Sequence, residues 1–272
     1  MEVTILNVSH GFCAYLIADN KNVMLIDAGH NQETGLRPSE WLSRKGCTGI
    51  EYLVITNYDQ DHVSDLHNIV ASPKLPIDTL IRNKSVTPDW LERRKSSYGV
   101  IPLGMQALLK LMRNYTDPVT NGAKLQGVDY QTFRTTYPEF NEENDLSLVI
   151  FIEHGELNLV FPGDLERPGW KKLLENPRFR NELAKVKVFV ASHHGRESGY
   201  CEDVFDICTP DLVIISDEYK HFETQETNYA RHVRGVRWTD GTRRVLTTRS
   251  DGSIRISHTL GQDYTIQTGV QL

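Results

Sequence analysis

The sequence predicts an α/β fold in four αββα layers, two mixed sheets back to back with helices outside. Three observations lead there. Short apolar runs bounded by turn residues recur along the chain, among them Val23–Ile26, Tyr52–Thr56, Leu146–Glu153, Glu156–Phe161, Val186–Ala191 and Leu212–Ser216. Strands of this kind are apolar on both faces, so each sheet needs cover on both sides. Segments with helical spacing lie between the runs, and polar residues collect where the runs stop.

Each element follows in order. Val3–Val8 alternates and reads as a strand, as does Ala14–Ile17, with a polar turn at Asn20–Asn22 before Val23–Ile26. Pro38–Arg44 reads as a helix with Gly46 near its end. Tyr52–Thr56 is the next buried strand. Between about 83 and 140 the rhythm breaks. Trp90–Tyr98 is charged and helical, Gly104–Tyr115 has apolar residues at helical spacing, and Thr116–Pro138 is polar and turn-rich. This stretch reads as an inserted helical cap within one domain spanning 1–272. Two strands follow, joined by a turn at His154-Gly155, and then a helix at Gly169–Glu175. The C-terminal RRVLTTRSDGSIRISHT reads as a hairpin with Asp251-Gly252 at its turn.

Bulk properties bound the function. Residues number 272, ample for a large buried core. The net charge is -6, so no global basic field draws in nucleic acid, and any such substrate must be held locally. The N-terminal MEVTILNVSHGF has no basic stretch ahead of an apolar run, and no apolar run approaches the ~18 residues of a membrane span. Cys13, Cys47, Cys201 and Cys208 form no C-x-x-C pair, which predicts free thiols. A cytoplasmic protein with no membrane partner is the expectation.

The informative pattern is where Asp and His fall. Five apolar strands end in one or both: at Asp27, in the Asn57–His62 group, at Asp164, at His193-His194 and at Asp217. Ligands in α/β sheets gather at strand ends, and carboxylates clustered with imidazoles suit a hydrolytic divalent-metal site. Singly, each piece has a plainer explanation: Asp-Gly is a common turn, and adjacent histidines are often core or surface residues. A calcium loop starting at Asp59 is disfavoured, because Val70 rather than Glu stands at its twelfth position.

The order of these pieces carries a resemblance. LNVSHGFCAYLI and VMLIDAGH, then VITNYDQDHVSDL, then ENDLSLVIFIEHGELNLVFPGDLE, then VASHHGRESG, then RRVLTTRSDGSIRI resemble the metallo-β-lactamase superfamily. Within it the chain resembles the nuclease-like domain of ComEC-type DNA-uptake (competence) proteins. The resemblance implies a metallo-β-lactamase-type αββα sandwich with a helical insertion. It implies metal ligands at Asp59, Asp61, His62 and Asp164, the last bridging, and at His193 or its alternative His194. Asn57 stands at the first position of the H-x-D-x-D-H loop, and Asn144 where most members carry a third ligand histidine. Asp27 would orient a ligand from behind. Asp61 and His221 would take part in catalysis, His221 from the substrate side. Asparagine offers only a neutral carbonyl oxygen, so the first metal position is weakened. One or two ions, zinc or manganese, are implied.

Two classes of function remain. One is a metal-dependent phosphodiesterase or nuclease acting on nucleic acid or nucleotides through a metal-activated water. The other is a degenerate binding or regulatory module that keeps the pocket without the chemistry. Arg93, Arg94, Lys95, Lys110 and Arg113, interleaved with Trp90, Tyr98 and Tyr115, suit a single strand or a nucleotide, or form a solvated helix surface.

Overall fold

A computed structural model describes residues 1–117, 122, 124–218, 223–239 and 241–270. Three short apolar strands, β1 (Glu2–Ile5), β2 (Ala14–Ile17) and β3 (Val23–Ile26), form an antiparallel start. Helix α1 (Pro38–Arg44) carries the chain over to β4 (Ile50–Val54), parallel to β3. Pro38 sits at its first turn, where a missing N–H costs nothing. Two short helices, α2 (Gln60–Val63) and α3 (Leu66–Ala71), lead to β5 (Ile77–Ile81), again parallel. Then come α4 (Pro88–Ser96), α5 (Leu103–Asn114) and three antiparallel strands, β6 (Asp129–Arg134), β7 (Leu148–His154) and β8 (Leu157–Phe161). After α6 (Arg167–Leu174) and α7 (Pro177–Leu183), β9 (Val188–Val190) and β10 (Leu212–Ile215) run parallel to β8. The remainder is α8 (Glu226–Ala230), a small ribbon of β11 (Val236–Trp238) and β12 (Gly241–Arg243), then β13 (Val245–Thr247), α9 (Thr248–Asp251), β14 (Ile254–Ser257) and β15 (Thr265–Gln267).

Among the described residues these strands make two large mixed sheets. One has the order β15-β14-β1-β2-β3-β4-β5, the other β13-β10-β9-β8-β7-β6. Apolar side chains of both sheets meet face to face, for example Val3, Leu16, Met24 and Val54 with Ile150, Leu159, Phe161 and Ile214. On the outer face of the first sheet, Tyr15, Leu25 and Leu53 pack with Trp41 of α1, Leu66 of α3 and Leu108 of α5. On the outer face of the second, Val149, Phe151 and Phe189 pack with Trp170 of α6 and Phe179 of α7. Each fully buried Leu, Ile or Phe contributes about 1.5–3 kcal/mol. Three apolar layers separate four layers of backbone, the expected αββα sandwich.

The structure departs from several of the sequence expectations. The turn-rich segment 116–138 contains β6, the edge strand of the second sheet, paired over Asp129–Arg134 with Leu148–Glu153. The helical part of 83–140 does lie outside the first sheet, but α4 and α5 send Leu91, Met105, Leu108 and Met112 into the main outer core. The C-terminal segment is not a hairpin. β13 pairs with β10 in the second sheet, whereas β14 pairs with β1 in the first. Between them α9 is capped by the Thr247 side chain and ends at Gly252, whose φ of 69° turns the chain across the sandwich. The β7–β8 turn falls on Gly155-Glu156, one residue later than expected, because Gly155 takes the positive φ of 57°. All four cysteines are free thiols, as expected. No helix among the described residues is long and apolar enough to cross a membrane.

Candidate metal centre

Parallel pairing puts the C-terminal loops of β3 and β4 at one edge of the first sheet and those of β8, β9 and β10 at one edge of the second, and the His62–Asp164 and Asp61–His194 contacts bring the two edges together. At the end of β3, Asp27 adopts a left-handed φ of 57°, a conformation Asp tolerates better than most residues. Its fully buried carboxylate accepts the Thr56 backbone N–H (2.7 Å), the Thr56 hydroxyl, and His62 Nδ1 (2.8 Å). This fixes the His62 ring and turns Nε2 outward, 3.0 Å from Asp164 Oδ1.

Asp164 follows β8. The Ser147 hydroxyl accepts its backbone N–H at 3.2 Å. His194 follows β9 in a run of left-handed residues, with φ of 49° at His193, 54° at His194 and 75° at Gly195. His194 Nδ1 bonds to the Ser216 carbonyl at 3.0 Å, so Nδ1 carries the hydrogen and Nε2 is left to the site. That Nε2 lies 3.2 Å from Asp61 Oδ2 and 3.6 Å from Asp164 Oδ2. Asp61 is pinned from behind: a side chain on Gly29 would land on the Asp61 carbonyl oxygen, so only glycine lets the two loops approach this closely.

The electrostatics follow from burial and sharing. Burial alone would lower the His62 imidazole, but Asp164 and Asp27 outweigh it and hold it well above the usual histidine range. Burial acts likewise on His194, and Asp164 and Asp61 push it up to about 9. Burial would raise the Asp164 and Asp61 carboxyls, yet the imidazoles of His62 and His194 hold both well below the usual range. The field that favours protons on these rings equally attracts a cation.

A divalent ion fits this set. His62, Asp164 and His194 each offer a donor atom, all within 4.8 Å of one another, and His10, Asp61 and His194 form a second such group. Despite the short distances, the buried Nε2 atoms of His62 and His194 have no hydrogen bond of acceptable direction. Buried polar atoms rarely stay unpartnered, and two imidazoles with two carboxylates are donors suited to zinc or manganese.

The other sequence candidates are held by partners of their own. Asn57 is fully buried; its Oδ1 accepts the Asp59 N–H (2.7 Å), and its Nδ2 donates to Asn144 Oδ1 (3.0 Å) and Ser147 Oγ (3.1 Å). Asn144 Nδ2 donates in turn to Glu166 Oε1 at 3.1 Å. Asp59 Oδ1 accepts from Lys95 Nζ at 2.7 Å. His193 Nε2 is 4.0 Å from Asp164 Oδ2, but it receives Arg196 Nη1 at 3.1 Å, and its Nδ1 faces Ser198 and Glu166. Thus His194, rather than His193, is turned into the centre. Asp217, at the end of β10, pairs with Arg249 at 3.0 Å. His221 lies outside the described residues.

Two residues that sequence reasoning did not single out stand at this edge. His10, in the β1–β2 loop, brings Nε2 to 3.4 Å from Asp61 Oδ2 and packs its ring 4.7 Å from that of His194. The available signal was its place after a strand, as with the other ligands. Arg196 donates to both His10 Nε2 (3.0 Å) and His193 Nε2 (3.1 Å); no local pattern marks it.

The model of the metallo-beta-lactamase superfamily matches residues 14–198, and the chain belongs to that superfamily. ComE operon protein 3 of Bacillus subtilis (strain 168) is 24% identical over 180 residues, which are 65% of this chain and 21% of that protein. The chain therefore spans about a fifth of that relative's length. Among solved structures, CmlA, a diiron β-hydroxylase from Streptomyces venezuelae, superposes with a TM-score of 0.50 at 14% identity, covering 90% of this chain and 53% of that one. A diphosphatase from the PhnP family superposes with a TM-score of 0.49 at 11% identity, covering 95% and 98%.

Proposed function

We propose that this chain is a metal-dependent hydrolase that cleaves phosphodiester bonds in nucleotides or single-stranded nucleic acid. The observation that carries the metal dependence is the pair of buried Nε2 atoms on His62 and His194, held by their opposite nitrogens and converging on the Asp164 carboxylate. A divalent ion bound there would supply positive charge for a developing oxyanion and an activated water. His62, His194, Asp164 and Asp61 would hold it. Asp27 and the Ser216 carbonyl fix which imidazole nitrogen is free, the kind of supporting contact that ligand geometry depends on. Arg196, beside His10 and His193, puts a guanidinium at the same edge, a suitable donor for an anionic substrate.

The expected basic surface of the insert is largely neutralised: Arg94 pairs with Glu142 and Glu143, Lys95 with Asp59 and Glu143, and Arg113 with Glu92 and Asp89. This favours a small or single-stranded substrate over long duplex. A second reading, a binding module without turnover, is favoured by the involvement of Asn57 and Asn144 in hydrogen bonds of their own. Turnover of bis-p-nitrophenyl phosphate and of single-stranded DNA, with manganese or zinc, separates the two. For the hydrolase, Asp164→Ala abolishes turnover and lowers metal content while the fold is kept. Metal binding without turnover in the native chain would select the binding module, and absence of metal binding would reject the hydrolase.

A further inference from the structure

The resemblance places Asn57, Asp59 and Asn144 on one side of a metal site, and in the structure the chain supplies that side with partners of its own. The two asparagines are bonded to each other and to Ser147 and Glu166. Asp59 faces an ammonium: Lys95 Nζ lies 2.7 Å from its Oδ1 and also contacts Glu143 Oε2. Lys95 is deliberately placed. Helix α4 is started by Thr87, whose hydroxyl accepts the Trp90 N–H, and by Pro88 in its first turn. Leu91 anchors it in the outer core, and Arg94, next to Lys95, holds Glu142 (2.9 Å) and Glu143 (3.4 Å). The Lys95 side chain is only 12% exposed and that of Glu143 only 9%. A buried lysine is tolerated where carboxylates compensate its charge, and buried carboxylates need a cation in the same way.

We propose that the centre takes one divalent ion, and that the Lys95 ammonium supplies the positive charge which the Asn57–Asp59–Asn144 side would otherwise draw from a second. The proposal rests on the metal-centre reading above and refines it. Lys95 is then a built-in cation fixed next to the ligand loop. It keeps Asp59 compensated whether or not substrate is present, and it bars a second ion by occupying the carboxylates that would attract one.

The experiment is a count of manganese ions per 272-residue chain. Metal-stripped protein is dialysed against increasing Mn²⁺ and the bound metal is measured by elemental analysis. The wild-type chain binds one ion, Lys95→Met binds a second more weakly, and Lys95→Arg stays at one. In Lys95→Met the added Asp59→Asn change removes the second ion again. Circular dichroism checks the folding of each variant, and Lys95→Gln replaces Lys95→Met should the latter not fold. Two ions in the wild type within tenfold of each other in affinity overturn the proposal and leave the metal centre standing. So does a folded Lys95→Met or Lys95→Gln chain that still binds one. A wild-type chain that binds none overturns the proposal together with the metal centre.

Discussion

Asp27→Asn tests how the site chooses its ligand atoms. Asparagine is close in size and tolerates the left-handed φ of 57°, so the substitution changes charge and hydrogen bonding with little backbone strain. The native carboxylate receives three donors, the Thr56 N–H, the Thr56 hydroxyl and His62 Nδ1. An amide keeps one acceptor oxygen. If that oxygen stays on the Thr56 N–H, the new NH2 faces the hydroxyl and the imidazole. The hydroxyl can rotate and accept. The imidazole can accept at Nδ1 only by moving its proton to Nε2, the atom 3.0 Å from Asp164, and a protonated Nε2 cannot bind a metal. Any donor left unpaired in this fully buried place costs about 1–3 kcal/mol. Loss of the group behind a ligand typically weakens metal binding about 10–100-fold, which is ~1.4–2.7 kcal/mol. Urea unfolding of metal-free protein measures the first quantity, calorimetric titration with Mn²⁺ or Zn²⁺ the second, and ¹⁵N NMR of the imidazole reports the tautomer. Metal affinity within twofold of wild type, with the His62 tautomer unchanged, would refute the assigned role of Asp27.

Two further outcomes follow from particular contacts. Asn57→His replaces a buried amide that makes three hydrogen bonds; stability falls by about 1–3 kcal/mol and zinc stoichiometry does not rise, both measurable by calorimetry. A gain of a zinc ion would contradict the arrangement of this loop. Asp217 offers a pH test. Burial pushes its carboxyl up to about 6, with Arg249 pulling only partly against it. A carboxyl whose folded pKa is raised favours the native state below its unfolded pKa, and this contribution is lost as pH rises through the folded value. Between pH 4 and pH 7 the wild type should therefore lose stability relative to Asp217→Asn, by on the order of 1–2 kcal/mol after solvent screening. Parallel stability–pH curves for the two proteins would exclude it.

Much of the fold is legible because its signals are local. Val23–Ile26 and Pro38–Arg44 have the bounds that their apolar run and their proline predict. β6 was hidden because it is an edge strand: DYQTFR keeps alternate residues half-exposed and carries little apolar weight. The C-terminal crossing was hidden because Asp-Gly turns a hairpin and ends a helix equally well; only strand pairing distant in sequence decides between them. The same division runs through the site. Asp61, His62 and Asp164 are readable as polar residues after buried strands. The choice of His194 over His193 depends on two left-handed φ angles and on the Ser216 carbonyl, and Lys95 reaches Asp59 only through the packing of α4. Neither leaves a mark in local sequence.

The placement of β1 bears on how the molecule is made. It lies inside its sheet, with Glu2 facing Ile17 on one side and Ser257 on the other. As the nascent chain leaves the ribosome, β2 is available to β1 at once, but β14 emerges only after β3 through β13. Until then Val3, Ile5 and their backbone groups border an open edge, the kind of surface that recruits strands from other chains. Contacts so far apart in sequence also close slowly. A chain shortened ahead of Ile254 would keep every residue assigned to the metal centre and still expose that edge. Aggregation of such a truncated product would report on sheet closure rather than on the chemistry of the site.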